Sequence, residues 1–338
     1  MTATNLPFDP MAPTADAPQS LCGPLCGATL RTDDAAGCIS FFTEAMHMQL
    51  ISDREPAAPT AALQRQLWSL PAAATWRELC FDHPGEGRGY ALRVIVMDGG
   101  KRIRPAMESR LNGGLSIGFP VANLEDTLAR LTAQGIDSTA GIVPLVMTRP
   151  DGSSYTSGEI HFRGPEDSYA LVVGRPPDLA PVGPIDRASG IGGPAYSAIV
   201  VSNASAEIDF YQQVLSWEAR RDVVLTTSGP AGGLGLDAGT QFRFVQLFAA
   251  GATTGYIVLL DMLDQGRVNP IEPGFANRGI VGWTFPTRSF DQVVARLASD
   301  QSGAALIAGP FRDPKTGARV LSIRSPAGLT MEIEELPQ

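Results

Sequence analysis

Lysine is almost missing from this chain: Lys101 and Lys315 are the only two among 338 residues, so positive charge rests on arginine. The formal net charge is −9, and the basic residues form no long run. Binding a phosphate backbone needs a clustered basic face, so nucleic acid is not expected as a partner. Cysteine is scarce too, with Cys22, Cys26, Cys38 and Cys80 irregularly spaced. That excludes a disulfide framework, and the Cys22/Cys26 spacing has no second pair or nearby histidine to make a zinc site. Free or buried thiols are expected. No run of about 18 apolar residues suggests a membrane span, and the opening MTATNLPFDPMAPTADAPQ has neither the basic start nor the apolar core of a signal peptide. A soluble protein with no membrane partner is expected, with the cytoplasm as default address.

What is present is ample apolar material. At 44% hydrophobic and 18% charged residues, a chain of this length can bury sizeable cores and is expected to form two domains. Residues 1–20 are rich in Pro, Ala and Thr and read as a mobile arm, or one that packs over a neighbour. In AYSAIVVSNASAEIDFYQQVLSW, Ala195 to Trp217, a β-rich run ends at Asn203, and Ser205 stands where a helix cap would. Ile208, Tyr211 and Leu215 then share a helical face, leaving Glu207, Gln213 and Glu218 to face water. GATLRTDDAAGCISFFTEAMHMQL, from Gly27, repeats this pattern with Phe41 and Phe42 in place of Phe210 and Tyr211. Residues 76–81 and 90–97 read as a hairpin.

An internal repeat ties these pieces together. Gly89-Tyr90 and Gly255-Tyr256 lie 166 residues apart, as do Phe119-Pro120 and Phe285-Pro286, and Ala129-Arg130-Leu131 and Ala295-Arg296-Leu297. In both copies a strand runs into a helix, then a turn-rich segment, then a strand pair. The string VSN…DFYQQVLSW resembles the opening of a vicinal oxygen chelate module, the βαβββ unit of glyoxalases, extradiol dioxygenases and bleomycin-resistance proteins. ARVLSIRSPAGLTMEIEEL resembles the end of such a module. The resemblance implies an α+β chain of four βαβββ modules, about 21–105, 106–176, 190–270 and 271–338, forming two cupped mixed β-sheet domains with flanking helices. Consecutive modules are expected to share a cup, giving domains at 21–176 and 195–338, with the Pro/Gly-rich 177–194 as linker.

Function in this superfamily usually centres on a divalent metal held in the cup by the first strand of each of two modules and by the last strand. Mapped onto this chain, the first-strand positions fall near Gly27, Ser116, Tyr196 and Gly282, and the closing positions on Leu171 and Glu332. One carboxylate and one phenol are a poor donor set, so no metal and no other cofactor is expected. Tyr196 and Glu332 are then the candidate catalytic pair, since burial would raise the carboxyl toward neutrality.

Further candidates line up as substrate contacts. His161 shares a strand face with Glu159 and Arg163, a polar face that meets either the cup or solvent. Of the other histidines, His47 reads as a helix-end residue and His83 as part of a turn. Arg243 and Gln246 lie on QFRFVQLF, where either face can be the cup. Trp283 offers an aromatic wall or a core side chain. Lys101 and Arg104 in GGKRIRP suit an anion clamp or a solvated loop, and Tyr155 a lid. Tyr90 and Tyr256, at matched positions, suggest packing. The leading expectation is a metal-independent enzyme of lyase or isomerase type on a small aromatic or phenolic metabolite. The alternative is a sequestering protein of bleomycin-resistance type, and a lower one is a metal-dependent dioxygenase or glyoxalase. Such domains often pair, which puts a homodimer among the expected assemblies.

Overall fold

A computed structural model describes residues 19–85, 89–148, 153–229, 232–263 and 270–337. The expected N-terminal arm lies almost wholly outside them. Sixteen strands form two eight-stranded sheets. The first sheet runs β14-β15-β16-β13-β1-β4-β3-β2 and the second β10-β11-β12-β9-β5-β8-β7-β6.

In the first sheet, β1 (Gly27–Thr32), β2 (Gln49–Arg54), β3 (Arg77–Asp82) and β4 (Ala91–Val96) come from module one. Its other half is β13 (Gly279–Thr287), β14 (Ala305–Arg312), β15 (Arg319–Arg324) and β16 (Thr330–Glu335), from module four. The second sheet takes β5 (Gly113–Pro120), β6 (Ser138–Thr148), β7 (Ser154–Arg163) and β8 (Tyr169–Gly174) from module two. Module three supplies β9 (Tyr196–Val201), β10 (Glu218–Thr226), β11 (Gln241–Phe248) and β12 (Tyr256–Met262). The α+β architecture with two cupped sheets is therefore as the sequence implies, but consecutive modules do not share a cup. Module one pairs with module four through antiparallel β1 and β13, and module two with module three through antiparallel β5 and β9. The segment 175–195 joins β8 to β9 within the second sheet rather than linking separate sheets.

The crossover between the sheets is held by Arg104, which is 2% exposed and donates to the carbonyls of Glu108, Leu111, Gly113 and Gly114. Burial pushes its guanidinium down to about 10. It is a structural arginine, since buried carbonyls need donors.

Helices α1 (Ala35–Ser40, continuing into a π-helical turn at Phe41–Ala45), α3 (Leu124–Ala133), α4 (Ala204–Gln213) and α5 (Phe290–Ala298) contribute to one core with the backs of both sheets. Phe42, Leu131, Phe210 and Phe290 join Leu92, Ile333, Phe162 and Leu259 there. The cap of α4 is Asn203, whose side chain accepts from the Ala206 amide at 3.1 Å, so the helix begins where the strand ends. Glu207, expected in water, is fully buried: the β15–β16 turn docks on it, with Ser325 Oγ and the Ala327 amide donating to Oε1 at 2.7 and 2.6 Å. Burial raises this carboxyl to about 7. Among the described residues no helix is long and apolar enough to cross a membrane, and all four cysteines are free thiols.

Candidate functional site

The two cups share a plan and differ in what fills them. The first is filled at its centre, with open space of about 590 Å³ at its edge, lined by Val320, Arg319 and Glu334. Helix α2 (Ala58–Leu67), with Pro59 in its first turn where a missing N–H costs nothing, carries Ala61, Leu67 and Trp68 into the cup. Trp68 stacks on Phe275 with ring centroids 4.5 Å apart and an interplanar angle of 2°. Val281, Ile95 and Val320 complete this apolar plug. Gly282 is compatible with it only because a Cβ there would sit 2.9 Å from Phe275 Cζ.

Glu332 lies under the plug, 3% exposed, and every contact it makes is structural. Its Oε2 accepts from Arg93 Nη2 at 2.8 Å and from Thr284 Oγ1 at 3.2 Å, and its Oε1 from Trp68 Nε1. Arg93 also donates to Thr29 Oγ1 at 3.1 Å and lies 4.9 Å over the Trp68 ring. Burial acts most strongly and lowers the Arg93 guanidinium, but the charges of Glu332, Glu78 and Glu334 and the Glu332 hydrogen bond together outweigh it and raise the group. A guanidinium thus occupies the place of a donor opposite Glu332. A cation would meet like charge there, so this set does not fit a metal.

The second cup holds a cavity of about 150 Å³, a size that accepts one six-membered ring. Its floor is set by register. Tyr196 stands opposite Gly118 across the β5–β9 pair and beside Tyr256 across the parallel β9–β12 pair. Only glycine fits opposite Tyr196, because a Cβ at Gly118 would lie 2.1 Å from its ring. The Tyr196 and Tyr256 rings stack at 4.9 Å, and Tyr256 stacks on Phe248 at 4.4 Å. Leu115, Leu171, Val173, Val258 and Leu260 make the remaining floor apolar.

Polar groups enter at defined places. Glu159 and His161 alternate on β7, with His161 Nε2 3.2 Å from Glu159 Oε2. Tyr155, on the same strand, accepts from Arg175 Nη2 at 3.2 Å and bonds Arg221, which reaches it from β10. Burial lowers the Arg221 guanidinium, and it has no carboxylate partner among the described residues. Gln246 presents a buried amide oxygen without a partner among the described residues. Neither the Tyr196 nor the Tyr256 hydroxyl has a hydrogen-bond partner among the described residues. Both phenols are raised, first by burial and next by the Glu159 charge.

The sequence-derived candidates therefore divide. His161, Tyr155, Gln246 and Tyr196 come together in the second cup. Glu332 is in the other sheet, so Tyr196 and Glu332 form no pair. Trp283 is 1% exposed between the sheets, its Nε1 donating to Ser197 Oγ at 2.9 Å. Arg243 is clamped outside the cavity by Asp222 at 2.7 and 2.6 Å and by Ser205 Oγ at 2.8 Å. Lys101 is exposed and Arg104 is taken by backbone carbonyls, so they form no anion clamp. Arg163 leaves the Glu159 face for Asp167, at 3.2 Å. Arg221 and Tyr256 were not legible as site residues; the polar alternation of β7 was the one signal that pointed to Glu159.

Ser116, Tyr196 and Leu171, the metal-ligand positions mapped onto the second cup, offer a hydroxyl, a phenol and an alkyl side chain, and they do not fit a metal either. Among the described residues no three of His, Cys, Asp and Glu converge as ligands.

Comparison with solved structures agrees with this architecture. Glyoxalase I from Zea mays superposes with a TM-score of 0.62 at 12% identity, covering 92% of each chain. A point mutant of that enzyme gives 0.63 at 12% identity over 94% of each chain. The chain has the vicinal oxygen chelate fold. A putative dioxygenase from Bacillus subtilis also superposes on this chain, with a TM-score of 0.56 at 13% identity, covering 95% of this chain and 87% of that one. No protein-family model matches the sequence, and no curated protein does.

Proposed function

We propose that the chain is a metal-independent enzyme whose working cup is that of the second sheet, acting on a small, largely apolar ring compound with an oxygen substituent. The observation that carries this reading is the contrast between the cups: one is plugged by Trp68 and Phe275, while the other keeps a cavity of about 150 Å³. The apolar floor and the Tyr196/Tyr256 stack suit a planar ring. Arg221, short of a carboxylate partner, suits the oxygen substituent. Acid/base groups are at hand in Glu159 and His161, so lyase or isomerase chemistry needs no metal donor set.

The test uses 4-nitrophenol, whose absorbance reports binding. Wild-type protein should bind it, Ala198→Phe should abolish binding by filling the cavity, and Glu332→Gln in the other cup should leave it unchanged. Binding that survives Ala198→Phe, or one tightly held Fe, Mn, Zn or Ni per chain needed for binding, overturns the proposal. The sequestering reading draws on the same apolar floor, and recovery of a natural ligand unchanged after long incubation would favour it.

A further inference from the structure

We propose that Glu159 is the proton-transfer group of the second cup, positioned by His161, and that the substrate class is a small cyclic or aryl ketone reacting through its enol. This rests on the reading of that cup as the working site.

The geometry separates the roles of the two side chains. His161 is 3% exposed, and its Nδ1 is buried with no hydrogen-bond partner among the described residues. Gly233, at φ +80°, lies so close that a Cβ there would be 2.0 Å from Nδ1. A proton on Nδ1 would be a buried donor facing no acceptor, so the imidazole carries its proton on Nε2. That N–H donates to Glu159 Oε2 at 3.2 Å. Thr139 Oγ1 donates to the Gly233 carbonyl at 2.6 Å, with the His161 carbonyl 3.3 Å away, fixing the glycine against the ring. Glu159 and His161 both line the cavity, but the His161 side chain is 3% exposed and the Glu159 side chain 21%, so His161 is the positioning residue and Glu159 the group that meets substrate.

The other half of the chemistry is an oxyanion site. Tyr196 and Tyr256 both line this cavity, and neither hydroxyl has a hydrogen-bond partner among the described residues. Both phenols stay protonated at neutral pH, since burial and the Glu159 charge raise them, so they are donors held ready for developing negative charge. In the step, a Glu159 oxygen takes the proton from the carbon next to the carbonyl. The C–H pair becomes the new C=C bond, and the carbonyl π pair moves onto oxygen, where a phenol O–H stabilises it. Glu159 then delivers a proton, either one exchanged with solvent water to the same carbon, or the original one to the γ carbon of an unsaturated ketone, shifting the double bond. Atoms and electrons balance with no oxidant or further reactant.

Cyclohexanone in D2O tests this, with α-hydrogen exchange followed by NMR on the full chain and 4-nitrophenol binding measured alongside. Wild type should exchange at least roughly 100-fold above buffer, the usual scale of general base catalysis. Glu159→Gln should lose that enhancement while binding 4-nitrophenol, and Glu159→Asp, which withdraws the carboxylate by one methylene, should lose about tenfold or more. His161→Leu should lower the exchange rate by a much larger factor than it lowers 4-nitrophenol affinity, and His161→Gln, which keeps an N–H donor, should restore much of that rate. If 4-nitrophenol binds but wild type exchanges no faster than buffer, or Glu159→Gln exchanges like wild type, the assignment of Glu159 is overturned and the cup reading stands. If 4-nitrophenol does not bind wild type, the cup reading falls and this inference with it.

Discussion

Replacing Arg93 by Leu should destabilise the protein severely while leaving the second cup untouched. The Glu332 side chain is 4% exposed and Arg93 supplies its countercharge at 2.8 Å. Without it, a buried carboxylate keeps only two uncharged donors, Trp68 and Thr284. Breaking a buried pair from one side costs roughly 3–5 kcal/mol, because the remaining charge is uncompensated. Loss of the guanidinium over the Trp68 ring adds about 0.5–2 kcal/mol. Glu332→Gln should cost less: the amide oxygen still accepts from Trp68, and Arg93, about a quarter exposed, still reaches water. The double variant Arg93→Leu/Glu332→Met should recover much of the loss, since an apolar pair in the same volume leaves no unpaired charge. Urea unfolding read by tryptophan fluorescence measures all three, with Trp68 reporting from the site. A loss below about 1 kcal/mol in Arg93→Leu, or a double variant as unstable as the two singles summed, would refute the structural role given to this pair. Loss of 4-nitrophenol binding in a folded Glu332→Gln would refute the assignment of function to the other cup.

Glu207 should make stability depend on pH. Its carboxyl is raised by burial to about 7 from an ordinary 4.5, so between those values the folded state binds more protons than the unfolded one. The associated stabilisation is complete below about pH 4.5 and is lost as pH rises through about 7, on the order of 3 kcal/mol in all. Thermal melts at pH 5 and pH 8 should show that slope in wild type, and Glu207→Gln, neutral throughout, should flatten it; an unchanged slope contradicts the burial. Gly118→Ala should displace Tyr196, whose ring cannot swing aside freely because it is stacked on Tyr256. Overpacking of this kind costs about 1–3 kcal/mol, and 4-nitrophenol affinity should fall with it; full stability and affinity together would mean that the ring does not stand where the geometry puts it.

Much of the fold was written in residues near one another in sequence. The apolar alternation of YSAIVV, the helical spacing of Ile208, Tyr211 and Leu215, and the constant 166-residue offset each report a local period or a duplication, and together they determined four modules of one kind. They also fixed the poverty of metal donors, since three histidines cannot supply two His-based cups. A period says that a face is buried without saying against what. Which modules share a sheet was therefore decided only by long-range pairing of β1 with β13 and of β5 with β9. The same reason explains why Glu207 looked solvated and is buried, and why Tyr196 and Glu332, both aimed into cups, never meet. The contrast between the cups was tertiary as well: Trp68 and Phe275 are distant in sequence and stack to fill one, while nothing comparable among the described residues fills the cup under Tyr196.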